Sequence, residues 1–158
     1  MPAPVKPVPD GYHSVTPYLS IKNAGEAISF YKKAFGATEL VRMDMPGGKI
    51  GHAELQIGDS RIMLADEFPE MPDIVARSPK TLNGTTFGLH LYLDNVDVRF
   101  EQAIKAGGKV LRPVNDKFYG DRSGTLEDPF GHVWTIATHV EDVAPEEMER
   151  RMKENPKG

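Results

Sequence analysis

The stretch Asp121-Arg-Ser-Gly-Thr-Leu-Glu-Asp-Pro-Phe-Gly-His-Val-Trp-Thr-Ile-Ala-Thr138 contains a strand, a tight Asp-Pro-Phe-Gly turn and a second strand. The proline and glycine favour the turn, and the residues after it are rich in β-branched and aromatic side chains. Because strand side chains alternate between two faces, Trp134 and Ile136 share one face while Thr135 lies on the other. The pattern predicts a hairpin with Trp134 in a core and a mixed face that can meet a ligand.

The chain carries an internal repeat with an offset of 72 residues. Leu19-Ser-Ile-Lys-Asn23 aligns with Leu91-Tyr-Leu-Asp-Asn95, and Ile62-Met-Leu-Ala65 aligns with Trp134-Thr-Ile-Ala137. In each half a strand enters an amphipathic helix, and three more strands follow. The sequence therefore predicts an α+β fold made of two tandem βαβββ modules.

The expected organisation is a single domain between an extended leader and a helical tail. The leader covers 1–11, the domain 12–141 and the tail 142–158, with the tail helix beginning at Pro145. Within the domain, module one covers 12–68, a Pro-containing connector 69–86 and module two 87–141. At the start of the first helix, Asn23 with Glu26 three residues on predicts a capping box.

Composition narrows the functional class. The net charge is −4, with acids and bases interspersed, which argues against the broad basic face that nucleic acid or an anionic membrane requires. The chain has no cysteine, which excludes disulfides, thiolate nucleophiles and cysteine metal sites. No segment has the length and apolarity of a membrane span or the pattern of a signal peptide. We expect a soluble, cytoplasmic protein with small-molecule partners.

Several motifs in combination resemble one known family. They are Phe30-Tyr-Lys-Lys-Ala-Phe-Gly-Ala37, His52-Ala-Glu-Leu55 and Asp128-Pro-Phe-Gly-His-Val-Trp134, set in two βαβββ modules. Together they are similar to the PhnB-like branch of the glyoxalase/bleomycin resistance proteins, in the vicinal oxygen chelate (VOC) superfamily. The resemblance implies a cup-shaped, eight-stranded mixed sheet with helices outside and a ligand inside. It also implies a homodimer, with the cup built in one chain or across two.

The resemblance raises the question of a metal. Metal-dependent relatives carry histidine and glutamate ligands at four strand positions, which fall here on Thr16, Met63, Gly88 and Thr135. A divalent ion prefers imidazole and carboxylate to a thioether or to no side chain. We therefore predict no metal at that site and no cofactor. One divalent metal at a shifted site remains an alternative.

Histidines and acidic residues supply the candidates for chemistry. His52 and Glu54 lie two residues apart on one strand, so both point to the same face and can act as a proton-transfer pair. With His90 from another strand, they are also the candidate ligands of the shifted metal site. A polar lining that binds without chemistry is the competing interpretation.

Other residues are expected to line or surround the ligand site. The candidate ligand-binding residues are Tyr18, Met63, His90, Tyr92, Arg122 and Thr135. The Arg122 guanidinium can meet a ligand carboxylate or phosphate, or can pair with Asp121 or Glu127. His13 and His132 are expected to be exposed, and Asp66-Glu67 is expected to be a solvated edge.

Two functions follow from this set of residues. The first is a metal-independent small-molecule-binding protein of the bleomycin-resistance type. The alternative is a glyoxalase-like lyase/isomerase or a dioxygenase that uses a shifted site with His52, Glu54 and His90. The fold alone does not choose between them, because one fold hosts many activities.

Overall fold

The computed structural model describes residues 1–156 and confirms the α+β class. The strands of these residues are β1 (Tyr18–Ile21), β2 (Thr38–Asp44), β3 (Ile50–Ile57), β4 (Ser60–Asp66), β5 (Gly88–Tyr92), β6 (Lys109–Asp116), β7 (Asp121–Glu127) and β8 (Val133–His139). The helices are α1 (Ala24–Phe35), α2 (Pro79–Leu82), α3 (Val96–Lys105) and α4 (Pro145–Glu154).

The chain divides into two compact units, Met1–Asn83 and a second one that begins at Gly84. Each unit contains one four-stranded mixed sheet, in the order β1-β4-β3-β2 in the first and β5-β8-β7-β6 in the second. In each sheet the first and last strands of the module pair in parallel, and the other pairs are antiparallel. The two predicted βαβββ modules are thus confirmed.

The core of the first unit lies between its sheet and α1. Leu19, Ile21 and Leu64 are fully buried, as are Ile28 and Tyr31 on the helix. These are the alternate strand positions and the helical stripe that the sequence predicts. Burying whole aliphatic side chains at about 1.5–3 kcal/mol each makes this layer the main stabilising element of the unit.

In the second unit α3 packs against β6, β7 and β8. Trp134 and Ile136 of β8 are buried against this helix side together with Val96 and Phe100 of α3. The prediction that Trp134 is a core residue is confirmed, whereas Leu89 and Leu91 on β5 are only half-buried.

The predicted capping box at α1 is wrong. Asn23 has a left-handed backbone with φ +80°, and its side chain makes no capping hydrogen bond. Asp66 at the end of β4 takes that role, because its Oδ1 accepts from the N–H groups of Asn23 (2.9 Å) and Ala24 (3.0 Å). Asparagine tolerates the left-handed conformation that brings the chain from β1 into the helix.

The expectation of a solvated edge at Asp66-Glu67 is also wrong, because both residues are buried. The Glu67 carboxylate accepts from the Ser78 N–H (2.9 Å), the Ser78 hydroxyl (3.1 Å) and the Thr81 hydroxyl. These bonds attach the connector, including α2, to the end of β4. Buried carboxylates persist only where such partners satisfy them.

The helical tail begins at Pro145, as predicted. Arg151 attaches it to the second unit through a two-bond ion pair with Glu141 and a hydrogen bond to the Phe118 carbonyl. Residues 157 and 158 of the predicted tail lie outside the described residues. Among residues 1–156, none of the helices has the length and apolarity that crossing a membrane requires.

Candidate functional site

The sheet of the first unit has one face covered by α1 and an opposite face that carries polar and aromatic side chains. Strand alternation and register place Tyr18, His52, Glu54 and Met63 together on this second face. Met63 lies between Tyr18 and Glu54, with each of which it is paired in register. We call it the open face of sheet one, and it brings together all four of the predicted site residues in this unit.

His52 connects a phenol to a carboxylate on that face. Its Nδ1 lies 2.8 Å from the Tyr18 hydroxyl, and its Nε2 lies 3.7 Å from Glu54 Oε1. Burial, followed by the negative charge of Glu54, raises the pKa of Tyr18, so the phenol keeps its proton near neutral pH. With the imidazole proton on Nε2, the N–H faces the Glu54 carboxylate and Nδ1 is free to accept from the Tyr18 hydroxyl, and we assign this tautomer.

A second tyrosine, Tyr12, reaches the same carboxylate from the N-terminal segment. The Tyr12 hydroxyl donates to Glu54 Oε1, and the Arg61 guanidinium lies over the Tyr12 ring, 4.8 Å from its centroid. Sequence reasoning missed Tyr12 because it precedes the first strand. An aromatic residue directly after a turn, six positions before β1, was the available signal.

The second unit has an open face of its own. Its residues include His90 and Tyr92 on β5, whose rings are 4.8 Å apart, and Thr135 on β8, whose hydroxyl lies 3.0 Å from that of Thr125. Tyr92 is 59% exposed. The predicted residues His90, Tyr92 and Thr135 thus belong to one face of this sheet.

A network at the end of this face was not predicted. Asp121, only 3% exposed, accepts from the Tyr92 hydroxyl at 2.7 Å and lies 2.7 Å from His139 Nδ1. His139 Nε2 in turn lies 2.8 Å from Asp142. Asp121 and His139 are register partners, so continuing the predicted hairpin pairing one step beyond Thr138 would have found them.

The electrostatics of this network follow from its contacts. Hydrogen bonds to Asp121 and then Asp142 raise the pKa of His139 above its ordinary value of 6.5. Burial acts to raise the pKa of Asp121, but the bonds from Tyr92 and His139 outweigh it and lower that pKa. The Asp121 hydrogen bond, with burial second, raises the pKa of Tyr92, which stays a neutral donor.

Two expectations about surface residues are wrong. Arg122 pairs with neither Asp121 nor Glu127. It makes two bonds of 2.8 Å to Asp97 on α3 and one of 3.2 Å to Asp116, because its strand position faces the helix side of the sheet. His132 is 3% exposed, not a surface residue, because the turn folds it inward, whereas His13 is exposed as expected.

The four positions that carry metal ligands in metal-dependent relatives do not fit a divalent ion here. Gly88 has no side chain, Met63 offers only a thioether, and the Thr135 hydroxyl is engaged with Thr125. Thr16 contributes one more neutral hydroxyl. Within residues 1–156 there is also no group of three or more histidine and acidic side chains arranged to hold a metal ion.

Comparisons with known proteins agree with this fold. The Glyoxalase/Bleomycin resistance protein/Dioxygenase superfamily model matches residues 12–136. An uncharacterised protein of Mycobacterium tuberculosis, Rv0887c, is 38% identical over 145 residues, which cover 92% of this chain and 85% of that protein.

Solved structures show the same architecture. Protein PA1353 from Pseudomonas aeruginosa has a TM-score of 0.62 at 26% identity, over 82% of this chain and 99% of that one. The PhnB protein from Bacillus cereus has a TM-score of 0.59 at 20% identity, over 80% and 99%. The family model and the shared modules confirm the resemblance, and the chain therefore belongs to the glyoxalase/bleomycin resistance protein/dioxygenase superfamily, with a PhnB protein among its structural neighbours.

Proposed function

We propose that this protein binds a small molecule on an open sheet face and does so without the metal of its metal-dependent relatives. The observation that carries the proposal is the Tyr18–His52–Glu54 arrangement on sheet one, where a phenol, an imidazole and a carboxylate meet on a partly exposed surface. Aromatic and polar side chains that are ordered by mutual hydrogen bonds on a partly exposed face are typical of small-molecule sites.

The exposure of the aromatic rings supports binding. Tyr18 is 50% exposed and Tyr92 is 59% exposed, although both hydroxyls are held by hydrogen bonds. A tyrosine fixed by its hydroxyl presents a rigid apolar ring at little entropic cost, which is the feature that favours it in binding sites. The ligands expected are therefore planar or aromatic molecules with polar substituents.

The absence of suitable ligand side chains at Thr16, Met63, Gly88 and Thr135 supports a metal-independent mode. Ligand binding should then persist after the protein is treated with a metal chelator. We also propose, by family resemblance, that the protein acts in the cytoplasm as a homodimer, which native mass spectrometry of the purified chain would test.

A thermal-shift screen of metabolites and antibiotics, run with and without a chelator, tests the binding function. The expected result is at least one ligand whose calorimetric Kd is unchanged by chelation. The affinity should fall by about tenfold or more in Tyr18→Phe and His52→Ala for a ligand on the open face of the first unit, and in Tyr92→Ala for a ligand on that of the second, as loss of one well-placed contact predicts.

His13→Ala is the matched control, because it removes an exposed imidazole near the same strand without touching the open face. A ligand lost on chelation, or one insensitive to all three site variants, would count against the proposal. The absence of any ligand across a broad library would count against it more heavily.

A second candidate function is an enzyme of the glyoxalase-like lyase/isomerase type. The specific observation in its favour is that His52 contacts both a phenol that keeps its proton and a carboxylate, so one imidazole can receive a proton and return it. His90, in the other unit, is the further candidate. Dioxygenase chemistry belongs to the same alternative.

Assay of a glutathione hemithioacetal with wild-type protein and with His52→Gln and Glu54→Gln tests this alternative. A turnover that falls by about a hundredfold or more in both variants, the scale of lost acid–base catalysis, would support it. Turnover that survives both variants would exclude His52 and Glu54 as the acid–base pair.

A further inference from the structure

The N-terminal segment, Pro9–Tyr12, lies on the open face of sheet one and is held there by side chains of the sheet. The Tyr12 N–H closes a turn on the Pro9 carbonyl at 3.1 Å. Arg61 Nη1 donates to the Asp10 carbonyl at 3.2 Å and places its guanidinium over the Tyr12 ring. The Tyr12 hydroxyl then reaches the Glu54 carboxylate.

The groups that hold Tyr12 are themselves positioned by the sheet. Arg61 Nε donates to Gln56 Oε1 at 3.0 Å, and the two residues are register partners on β4 and β3. Glu54, two residues before Gln56 on the same face, has the His52 imidazole 3.7 Å away. The Glu54 carboxylate and the Arg61 guanidinium are therefore positioned by contacts that do not involve Tyr12.

The Glu54 carboxylate and the Arg61 guanidinium together form a site for one aromatic ring and its hydroxyl group, which we call the Glu54–Arg61 seat. The carboxylate accepts a hydrogen bond from one hydroxyl group, and the guanidinium covers the face of one aromatic ring, as in a cation–π contact. Burial, followed by the hydrogen bond to Glu54, raises the pKa of Tyr12, so the occupant is a neutral phenol. A phenolate or a carboxylate in the same place would be repelled by Glu54.

The segment is shaped to bring the phenol into this seat. Gly11 has φ +83°, and a Cβ at this position would lie 2.3 Å from Arg61 Nη2. The backbone thus passes the guanidinium at a distance that only glycine allows without displacing one of the two.

We propose that the Glu54–Arg61 seat is a binding site for the phenolic group of a small molecule, and that Tyr12 is its displaceable internal occupant. The proposal rests on the proposed binding function and adds the class of ligand. The ligand regains the contacts that Tyr12 loses, so it must compete with a tethered group whose effective concentration is roughly millimolar. Removing Tyr12 should therefore increase affinity for phenols.

The test uses p-cresol, which is the isolated tyrosine side chain, and toluene, which is the phenylalanine side chain. Binding to the full chain is measured by ligand titration with backbone NMR shifts of β3 and β4 as the readout. The proteins are wild type, Tyr12→Ala, Tyr12→Phe, Tyr12→Ala with Glu54→Leu, and the exposed-neighbour control His13→Ala. Thermal unfolding confirms that each is folded.

We expect Tyr12→Ala to bind p-cresol about tenfold or more tightly than wild type, because the tethered competitor is gone. Tyr12→Phe should fall between them, and His13→Ala should match wild type. For Tyr12→Ala, p-cresol should bind about tenfold more tightly than toluene, and adding Glu54→Leu should abolish that preference.

Equal p-cresol affinity in wild type, Tyr12→Phe and Tyr12→Ala would overturn the proposal, as would equal affinity for p-cresol and toluene. A phenolic ligand from the screen that depends on Tyr18 or His52 but binds wild type and Tyr12→Ala with the same Kd would overturn the seat while leaving small-molecule binding intact. Phenol binding to Tyr12→Ala alone, with no screened ligand for wild type, would support the seat and count against the proposed function.

Discussion

Asp66 and Thr138 accept hydrogen bonds from the first turns of α1 and α3, each from the last strand of its own module. Asp66 Oδ1 binds the N–H of Ala24 at 3.0 Å, and the Thr138 hydroxyl binds the N–H of Val96 at 2.9 Å. The positions correspond under the 72-residue offset of the repeat. Strand-to-helix attachment is thus conserved in geometry between the modules although the side chains differ in charge.

Asp66→Ala should be the more damaging of two changes at these positions. It removes the acceptor for the N–H groups of Asn23, Ala24 and Ile50, so we expect a loss of about 3–5 kcal/mol in the free energy of unfolding. Thr138→Val should cost about 1–2 kcal/mol. Urea unfolding measures both, with exposed Asp59→Ala as the control; a Thr138→Val loss as large as that of Asp66→Ala would contradict this account.

Asp128 should prove central to the hairpin that defines the fold. Its carboxylate accepts from the N–H groups of Phe130 (2.9 Å) and His132 (3.0 Å) and from the indole N–H of Trp134 (2.9 Å). Asp128→Ala should lower the free energy of unfolding by about 3 kcal/mol and Trp134→Phe by about 1–2 kcal/mol. A double-mutant cycle should give a coupling of about 1 kcal/mol or more, and additive effects would show that the indole bond contributes nothing.

His139 should make the free energy of unfolding decrease as the pH rises above neutrality. Its pKa is raised in the folded state by Asp121 and Asp142, so its contribution is fully present below the unfolded value of about 6.5 and is lost as pH rises through the folded pKa. The stability advantage of wild type over His139→Gln should therefore shrink from about pH 6 to pH 9. An NMR titration midpoint below 6.5 for His139, or a pH-independent advantage, would contradict the ion-pair geometry.

Arg122→Ala should leave ligand binding unchanged. The Arg122 guanidinium is engaged with Asp97 and Asp116 on the helix side of its sheet, away from the open face. We expect the Kd of any ligand found for the protein to change by less than about twofold, as for other exposed ion pairs remote from a site. Calorimetry on Arg122→Ala and Tyr92→Ala in parallel makes the comparison. If Arg122→Ala lost as much ligand affinity as Tyr92→Ala, Arg122 would have to be counted among the ligand-binding residues.

Gly11→Ala should loosen the N-terminal segment without damaging the core. A left-handed conformation costs a residue with a Cβ about 1–2 kcal/mol, and the added methyl group also collides with Arg61. The affinity for p-cresol should therefore rise toward that of Tyr12→Ala, while thermal unfolding stays close to wild type. Gly58→Ala, a positive-φ glycine in the turn between β3 and β4 with open space around it, is the matched control and should leave affinity unchanged.

The repeat and the hydrophobic alternation were sufficient to predict the two βαβββ modules. Leu19, Leu64, Trp134 and Ile136 could be assigned to core positions because burial in a strand follows a period of two residues, which the sequence displays directly. The same periodicity placed Tyr18, His52, Glu54 and Met63 on one face. Motif and repeat were also enough to identify the superfamily.

Partner choice among polar side chains required the tertiary structure. The sequence alone could not show that Asp66 rather than Asn23 caps α1, that Arg122 bonds Asp97, or that Tyr92 donates to Asp121, because each contact joins residues distant along the chain. A hydrogen bond forms only within a narrow range of donor–acceptor distance and angle, and no spacing rule in the sequence specifies that geometry. The sequence by itself determined which strand side chains point toward the helices and which point to the open face, because that choice follows the two-residue period of a strand. Only the folded chain decided that the Tyr12 hydroxyl donates to Glu54 and that its ring lies under the Arg61 guanidinium, because these contacts join segments far apart in sequence.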